Sequence, residues 1–259
     1  MTESNADAES DAAPKNDFPT VPTADGDMGI YEVPPAEGEA KGGVVVIQEV
    51  FGVNHHIQSV TRRFAEAGYH AIAPEIFHRS GGGTAPYTDF SKVFPLFEGI
   101  TGDDSMLMDI DASIEQLGKA GIPPERVAVV GFCFGGRIAF LAAVRRQLGA
   151  AAGFYGGGIV NERPGPFPAL IGEAGDLKTP FLGLFGDHDE SIPVPDVETL
   201  RTTLDAETKV DHEIVRYADA GHGFHCDARP DHYHEASAQD AWRRTLAWFD
   251  THLGSGSGS

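Results

Sequence analysis

The sequence lacks three features that would place the protein outside the cell or in a membrane. It has only two cysteines, Cys133 and Cys226, too few for a disulfide framework, which is typical of a reducing cytoplasm. It has no apolar run of about 18 residues, the length that a transmembrane helix needs. Residues 1–27 are polar and acidic, without the basic segment and apolar core of a secretory signal. We therefore expect a cytoplasmic protein with no membrane span.

Positive charge is also scarce. The 39 Asp and Glu residues outnumber the 19 Lys and Arg residues, and the formal net charge is −20. Such a charge argues against nucleic acid or an anionic membrane as a partner. Residues 1–27 carry −6, which leaves −14 on the rest of the chain, and only six of the basic residues are Lys. This composition favours adaptation to high salt, where self-repulsion is screened; the alternative is an ordinary acidic enzyme with an acidic tail.

The remaining pattern predicts one α/β domain over residues 21–253, between a disordered acidic tail (1–20) and a flexible Gly/Ser tail (254–259). Apolar runs predict strands at 29–33, 43–48, 69–73, 127–131, 150–155, 180–185 and 212–217. Helical periodicity lies between Asn54 and Gly68 and over 103–117, 135–148, 196–204 and 236–253. Strands alternating with helices indicate a mostly parallel central sheet with helices on both faces.

The most informative motif is GFCFGG at 131–136, directly after the apolar run at 127–130. Its spacing is that of the strand-to-helix elbow that presents a nucleophile, with Cys133 where most such elbows carry serine. Small neighbours are needed there because strand and helix backbones approach closely. Free cysteine is often simply buried, but this context favours a nucleophile at the carboxyl end of a parallel strand, where sites of such sheets form.

A cysteine nucleophile needs a base, and the base needs an orienting acid. His222 follows the strand predicted at 212–217, and Asp187 and Asp189 follow the strand predicted at 180–185. The order nucleophile, acid, base is that of the α/β-hydrolases. Either aspartate is a candidate; Asp189 is preferred because it stands four residues before Pro193 in an Asp-x-x-Ile-Pro turn.

A zinc site is the alternative interpretation of the histidine-rich segment. Its candidate ligands lie within 13 residues and match none of the usual paired spacings of zinc ligands: His222, His225, Cys226, His232 and His234. We therefore expect neither metal nor cofactor.

Four motifs together resemble the dienelactone hydrolase (carboxymethylenebutenolidase) family of α/β-hydrolases: QEVFG at 48–52, APEIFHR at 73–79, the GFCFGG elbow, and AGHGF at 220–224. The resemblance covers roughly residues 28–253. It implies a catalytic Cys133–Asp189–His222 triad, and a Glu49 that hydrogen-bonds the resting thiol and helps to generate the thiolate.

The resemblance also implies the binding groups of the site. The N–H groups of Val50 and Phe134 would form the oxyanion hole, and Arg79 would pair with a substrate carboxylate, with Phe51 as a further substrate-binding residue. Family members of the chlorocatechol pathway carry a second arginine four residues after the catalytic histidine. Cys226 occupies that position here, and Arg229 is the candidate substitute.

The expected function is hydrolysis of a lactone or ester through a cysteine thioester. The family reaction opens 4-carboxymethylenebut-2-en-4-olide to maleylacetate. The alternatives are a general carboxylesterase or thioesterase on the same triad, a zinc-dependent hydrolase, and a non-catalytic binding protein. The expected partner is a small-molecule substrate, and the expected assembly is a monomer or small homo-oligomer.

Overall fold

The computed structural model describes residues 16–254. This part of the chain contains eight strands: β1 Thr20–Thr23, β2 Gly26–Val33, β3 Gly43–Ile47, β4 His70–Pro74, β5 Val127–Phe132, β6 Ala150–Phe154, β7 Phe181–Gly186 and β8 His212–Tyr217. It also contains six α-helices: α1 His55–Glu66, α2 Phe94–Phe97, α3 Asp103–Lys119, α4 Phe134–Arg145, α5 Val194–Glu207 and α6 Glu235–His252. Short 3-10 helices occupy His78–Ser80, Phe90–Lys92, Pro124–Arg126 and Ile171–Asp176.

The strands form one sheet in the order β1-β2-β4-β3-β5-β6-β7-β8. β2 is antiparallel to both β1 and β4, and the other neighbouring pairs are parallel. The predicted α/β class with a mostly parallel sheet is confirmed. Each predicted strand is present, with its ends shifted by at most three residues. β1 was missed because its sequence, TVPT, buries only Val21 and contains no apolar run.

The centre of the sheet is covered on both faces. Every residue of β3, β5, β6 and β7 is buried. Because successive side chains of a strand point to opposite faces, burial at every position requires packing on both sides. Helices α1, α3, α4 and α6 contact these central strands or their neighbours. No helix within residues 16–254 is both long enough and apolar enough to cross a bilayer.

Packing begins before residue 21, where the domain was expected to start. The Phe18 ring lies 5.5 Å from the Tyr31 ring, and the Asn16 side chain donates a hydrogen bond of 2.8 Å to Glu75. The prediction of disorder was based on the polar composition of the whole tail. It overlooked Phe18, an apolar residue that contacts Tyr31 on β2. The rest of the tail predicted as disordered, residues 1–15, lies outside the described residues, as does the Gly/Ser segment 255–259.

Candidate active site

Cys133 stands at a tight turn between β5 and α4. Its backbone has φ 55° and ψ −114°, and positive φ is costly for a residue with a side chain. The flanking glycines are required by contact. A Cβ on Gly131 would lie 1.8 Å from the carbonyl oxygen of Gly135, and one on Gly135 would lie 2.5 Å from that of Ile47. The small residues of the motif therefore allow strand and helix to approach closely enough to present the thiol.

Asp189 and His222 meet at the carboxyl ends of β7 and β8. The distance from Asp189 Oδ2 to His222 Nδ1 is 2.6 Å, and Asp189 is 2% exposed. The other carboxylate oxygen accepts hydrogen bonds from Ser191, at 2.6 Å from the hydroxyl and 2.9 Å from the N–H. Ser191 was missed by the sequence reasoning, although Asp-x-Ser is a common turn in which the serine bonds back to the aspartate.

Asp187, the other candidate acid, faces a different partner. Its two oxygens accept hydrogen bonds of 2.8 and 2.7 Å from the guanidinium of Arg216 on β8. This ion pair lowers the pKa of Asp187 through the hydrogen bonds from Arg216. The structure therefore brings Asp189, and not Asp187, to His222.

The side chains of His222 and Asp189 each favour the charged form of the other. Burial by itself lowers the pKa of His222, but the charge on Cys133 and hydrogen bonds with Asp189 and Cys133 raise that pKa to about 10. Burial raises the pKa of Asp189, yet the hydrogen bonds from His222 and Ser191 outweigh it and hold that pKa below its usual value. Protonation of the His222 imidazole is therefore favoured beside the ionised carboxylate of Asp189.

Glu49 lies at the end of β3 and is 1% exposed. Its Oε2 accepts a hydrogen bond of 3.1 Å from the Tyr87 hydroxyl, and Tyr87 in turn accepts one of 3.3 Å from the Cys226 thiol. Oε1 of Glu49 has no hydrogen-bond partner among the described residues. The resemblance implied a bond between Glu49 and the resting Cys133 thiol; within residues 16–254 the carboxylate bonds Tyr87 instead. Tyr87 was not anticipated from the sequence.

The two N–H groups expected to form the oxyanion hole, those of Val50 and Phe134, donate no backbone hydrogen bond among the described residues. Phe134 is the first residue of α4, so its N–H has no acceptor within the helix. Val50 lies just beyond β3, and among residues 16–254 its N–H donates no backbone hydrogen bond. The Phe134 ring packs 5.0 Å from Phe97 and 5.2 Å from Phe167. Phe134, the residue of one expected oxyanion donor, therefore belongs to an aromatic cluster.

The similarity to known proteins agrees with this arrangement. A family model described as "Dienelactone hydrolase family" matches residues 29–253. The chain belongs to the dienelactone hydrolase family. Proteins named "Putative carboxymethylenebutenolidase" are similar to it: one from Yersinia pestis is 40% identical over 239 residues, covering 90% of this chain and 87% of the relative. Another, from Escherichia coli K12, is 39% identical over 242 residues, covering 92% of this chain and 87% of the relative.

A solved structure extends the similarity to three dimensions. The crystal structure named "Putative Dienelactone Hydrolase" from Klebsiella pneumoniae superimposes with a TM-score of 0.79 at 38% identity. The superposition covers 89% of this chain and 95% of the Klebsiella pneumoniae chain. The resemblance inferred from the four motifs, and with it the prediction of a hydrolase, is confirmed.

Arg79 of this dienelactone hydrolase family member is held inside the protein. Its guanidinium donates to both oxygens of Asp109, at 2.8 and 2.9 Å, to Asp25 at 2.8 Å and to the carbonyl of Ser105 at 3.1 Å. The Arg79 side chain is 8% exposed, and that of Asp109 is fully buried. The structure therefore does not bring Arg79 to the triad, because its donors already bind α3 and the turn before β2. Sequence alone could not distinguish a substrate-binding arginine from this buried ion pair.

Arg229 lies beside Phe51 and Tyr87. Its guanidinium stands over the rings of Phe51 and Tyr87, at 5.7 and 5.3 Å, and donates a hydrogen bond of 2.8 Å to His232. Within the described residues no carboxylate forms an ion pair with Arg229. Phe51 is buried, and its ring lies 4.6 Å from the ring of Tyr87. Phe51 therefore contacts both Arg229 and Tyr87, the residue that donates to Glu49. Of the two expected carboxylate-binding arginines, only Arg229 lies here.

The histidines of segment 222–234 have separate partners. His225 is 2% exposed, and burial lowers its pKa well below the usual value. His232 accepts the bond from Arg229, and His234 caps α6 through Ser237. Among residues 16–254 no group of three or more His, Cys, Asp or Glu side chains is arranged to hold a metal ion.

Proposed function

We propose that the protein hydrolyses a carboxylic ester or lactone through a thioester on Cys133. The supporting observation is the 2.6 Å contact between His222 and Asp189 beside a cysteine presented at positive φ. The Cys133 thiolate attacks the acyl carbon, and the bond from that carbon to the leaving oxygen breaks. His222 gives its proton to that oxygen, which in a lactone remains attached to the acyl chain.

The second half of the reaction regenerates the thiolate. His222, now neutral and oriented by Asp189, takes a proton from water, and the hydroxide attacks the thioester carbon. The carbon–sulfur bond breaks, and the carboxylic acid leaves. The N–H groups of Val50 and Phe134 hold the oxyanion in both halves. Burial and the charge of Glu49 raise the pKa values of Tyr87 and Cys226, so both side chains stay neutral during the reaction.

The proposed substrate is an anionic enol lactone of the dienelactone type. Arg229 supports this choice, because a guanidinium that pairs with no carboxylate among residues 16–254 suits a substrate carboxylate. The carboxymethylenebutenolidase name of the similar proteins fits the same reaction, the opening of 4-carboxymethylenebut-2-en-4-olide to maleylacetate.

A general carboxylesterase or thioesterase activity is the second candidate. The observation in its favour is the burial of Arg79 in its ion pair with Asp109, which leaves Arg229 as the remaining one of the two arginines expected to bind a substrate carboxylate. Aromatic rings continue outward from Phe51 to Phe90, 6.0 Å away, and from Phe90 to the exposed Phe94, at 5.9 Å. Such a surface suits an uncharged aryl ester.

Trapping of the acyl-enzyme tests the mechanism. Wild type, Cys133→Ala and Cys226→Ala are mixed with a panel of lactones and aryl esters, quenched in acid and analysed by intact-protein and peptide mass spectrometry. We expect an adduct on the peptide that contains Cys133 in wild type and in Cys226→Ala, and none in Cys133→Ala. An adduct that persists in Cys133→Ala would refute the thioester.

The same panel distinguishes the two substrate classes. A kcat/KM for anionic enol lactones well above that for neutral aryl esters of similar reactivity supports the dienelactone assignment. The reverse order supports the general esterase.

A further inference from the structure

Tyr155 occupies a position next to Cys133 that the triad does not explain. Phe132 on β5 and Phe154 on β6 are paired in the parallel register, and the N–H of Cys133 donates to the carbonyl of Phe154 at 3.0 Å. Cys133 and Tyr155 are the residues that directly follow this pair. The two therefore leave the sheet side by side, at the carboxyl ends of neighbouring strands.

The backbone of both residues is strained. Among residues 16–254 the non-glycine residues with positive φ are Cys133, at 55°, and Tyr155, at 40°. Positive φ is unfavourable for a bulky side chain and tends to occur at functional sites. The N–H of Tyr155 donates to the carbonyl of Leu184 at 2.8 Å, which anchors the strained residue to β7.

The Tyr155 side chain is fully buried. Its ring lies 5.1 Å from the His222 imidazole and 5.3 Å from Phe224, so it packs against the catalytic base. Its hydroxyl has no hydrogen-bond partner within the described residues. A buried hydroxyl without a partner costs free energy and calls for an explanation.

The charged groups that act on this hydroxyl are acceptors or become acceptors when ionised. Burial, followed by the charges of Glu49, Cys226 and Cys133, raises the pKa of Tyr155 well above 10. The phenol therefore keeps its proton and acts as a donor. Glu49 accepts from Tyr87 through Oε2, and its Oε1 forms no hydrogen bond with the Tyr155 hydroxyl, since both atoms lack a partner among the described residues. Burial raises the pKa of Cys226 to about 12, so Cys226 remains a neutral thiol. Cys133 is thus the group whose charge appears during the proposed reaction.

We propose that Tyr155 is a positioning residue for the nucleophile, whose hydroxyl donates a hydrogen bond to the Cys133 thiolate while its ring fixes the orientation of His222. The inference rests on the proposed cysteine mechanism and goes beyond it, because it assigns a donor to the thiolate itself. The hydroxyl lacks a partner in the resting protein and gains one when sulfur carries charge. The proton stays on the tyrosine throughout.

Alkylation of Cys133 tests the donor without any substrate. The rate of labelling by iodoacetamide is measured from about pH 5 to 10 in wild type, Tyr155→Phe and Tyr217→Phe, with the peptides of Cys133 and Cys226 quantified separately. Tyr217→Phe is the matched control because its hydroxyl bonds Asp240 at 3.0 Å, away from the triad. We expect the midpoint of Cys133 labelling to rise by about one pH unit in Tyr155→Phe and to stay unchanged in the control.

Steady-state kinetics provide a second test of the role of Tyr155. Tyr155→Phe should lower kcat roughly ten-fold with little change in KM, because the lost bond is to the nucleophile and not to the substrate. An unchanged labelling midpoint in a folded Tyr155→Phe protein would overturn the proposal, whatever the activity. Should Phe impair folding, 3,5-difluorotyrosine at position 155 keeps the shape and strengthens the donor, and the midpoint must then fall.

Failure of the Tyr155 proposal can be distinguished from failure of the proposed cysteine mechanism. If no thioester forms but the labelling midpoint still moves, the donor assignment holds and the cysteine mechanism fails. If a thioester forms and the midpoint does not move, the mechanism holds and the Tyr155 assignment fails. The other titratable groups that act on Tyr155 or Cys133, namely His222, Glu49, Tyr87 and Cys226, are unaltered in every variant.

Discussion

Replacing Asp189 by Asn should disable the base and leave the fold intact. Asp189 Oδ1 accepts two hydrogen bonds from Ser191, so the oxygen of the new amide will keep that place. Its NH2 group will then face His222 Nδ1, 2.6 Å from the former Oδ2. An NH2 group only donates, so Nδ1 must become the unprotonated nitrogen and Nε2 must carry the proton. Such an imidazole cannot take a proton from Cys133 or from water.

The expected fall in kcat has two causes, the loss of a hydrogen bond and a change of imidazole tautomer. The charge-assisted hydrogen bond to Asp189 is worth about 1.5–3 kcal/mol. The wrong tautomer adds to this, so we expect kcat to fall about 10³- to 10⁴-fold, equivalent to roughly 4–5.5 kcal/mol in the barrier. The pKa of His222, now about 10 despite the opposing effect of burial, should also fall, because one of the groups that raise it is gone.

Steady-state kinetics with a chromogenic aryl ester, from pH 6 to 9, measure the effect, and thermal unfolding checks the fold. Asp187→Asn is the matched control, since Asp187 lies two residues away and pairs with Arg216 at the surface. Its kcat should stay within about two-fold of wild type, because partly exposed ion pairs contribute little. A larger loss of kcat in Asp187→Asn than in Asp189→Asn would refute the assignment of the acid.

Three further predictions address the elbow, the arginines and pH. Gly131→Ala should destabilise the protein by at least about 3 kcal/mol in urea titrations, because its Cβ would meet backbone at 1.8 Å. Gly118→Ala, with nothing within 4 Å of the added Cβ, should be neutral or stabilising by up to about 1 kcal/mol. Arg229→Gln should raise KM for anionic esters roughly ten-fold without affecting neutral ones, whereas Arg79→Gln should lower the free energy of unfolding by about 3–5 kcal/mol; a selective KM effect of Arg79→Gln would contradict this division. Burial lowers the pKa of His222, and the charge on Cys133 has the largest opposing effect, with the net result that this pKa is raised to about 10; Cys133→Ala should therefore lower the pKa of His222, measured by NMR titration of the imidazole, and an unchanged midpoint would contradict the contact between the two side chains.

Much of the fold could be predicted because its signals are local. Burial on both faces requires consecutive apolar residues, and these mark the central strands. The elbow motif at 131–136 is equally local, since the contacts that exclude side chains at Gly131 and Gly135 arise within a few residues. β1 escaped prediction because its four residues bury one side chain, and pairing with β2 decides its structure.

Within the site, the residue types and their order along the chain were readable, but their partners were not. Asp187 and Asp189 stand in the same turn with the same chemistry, and only the position of β8 gives one of them Arg216 and the other His222. No sequence pattern indicated a role for Tyr155. Its position beside Cys133 depends on the register between β5 and β6, which pairs Phe132 with Phe154.

The sequence by itself determined the family and the α/β architecture and indicated the candidate nucleophile and base, since each depends on short patterns of residue type. Only the tertiary structure decided which charged groups are free to act. Arg79 is bound by Asp109 on α3, 30 residues away in sequence, whereas Arg229 has no carboxylate to pair with among the described residues. Charge acts through space and over short distances, so the chain must fold before an arginine becomes either part of a buried ion pair or a binding group for substrate.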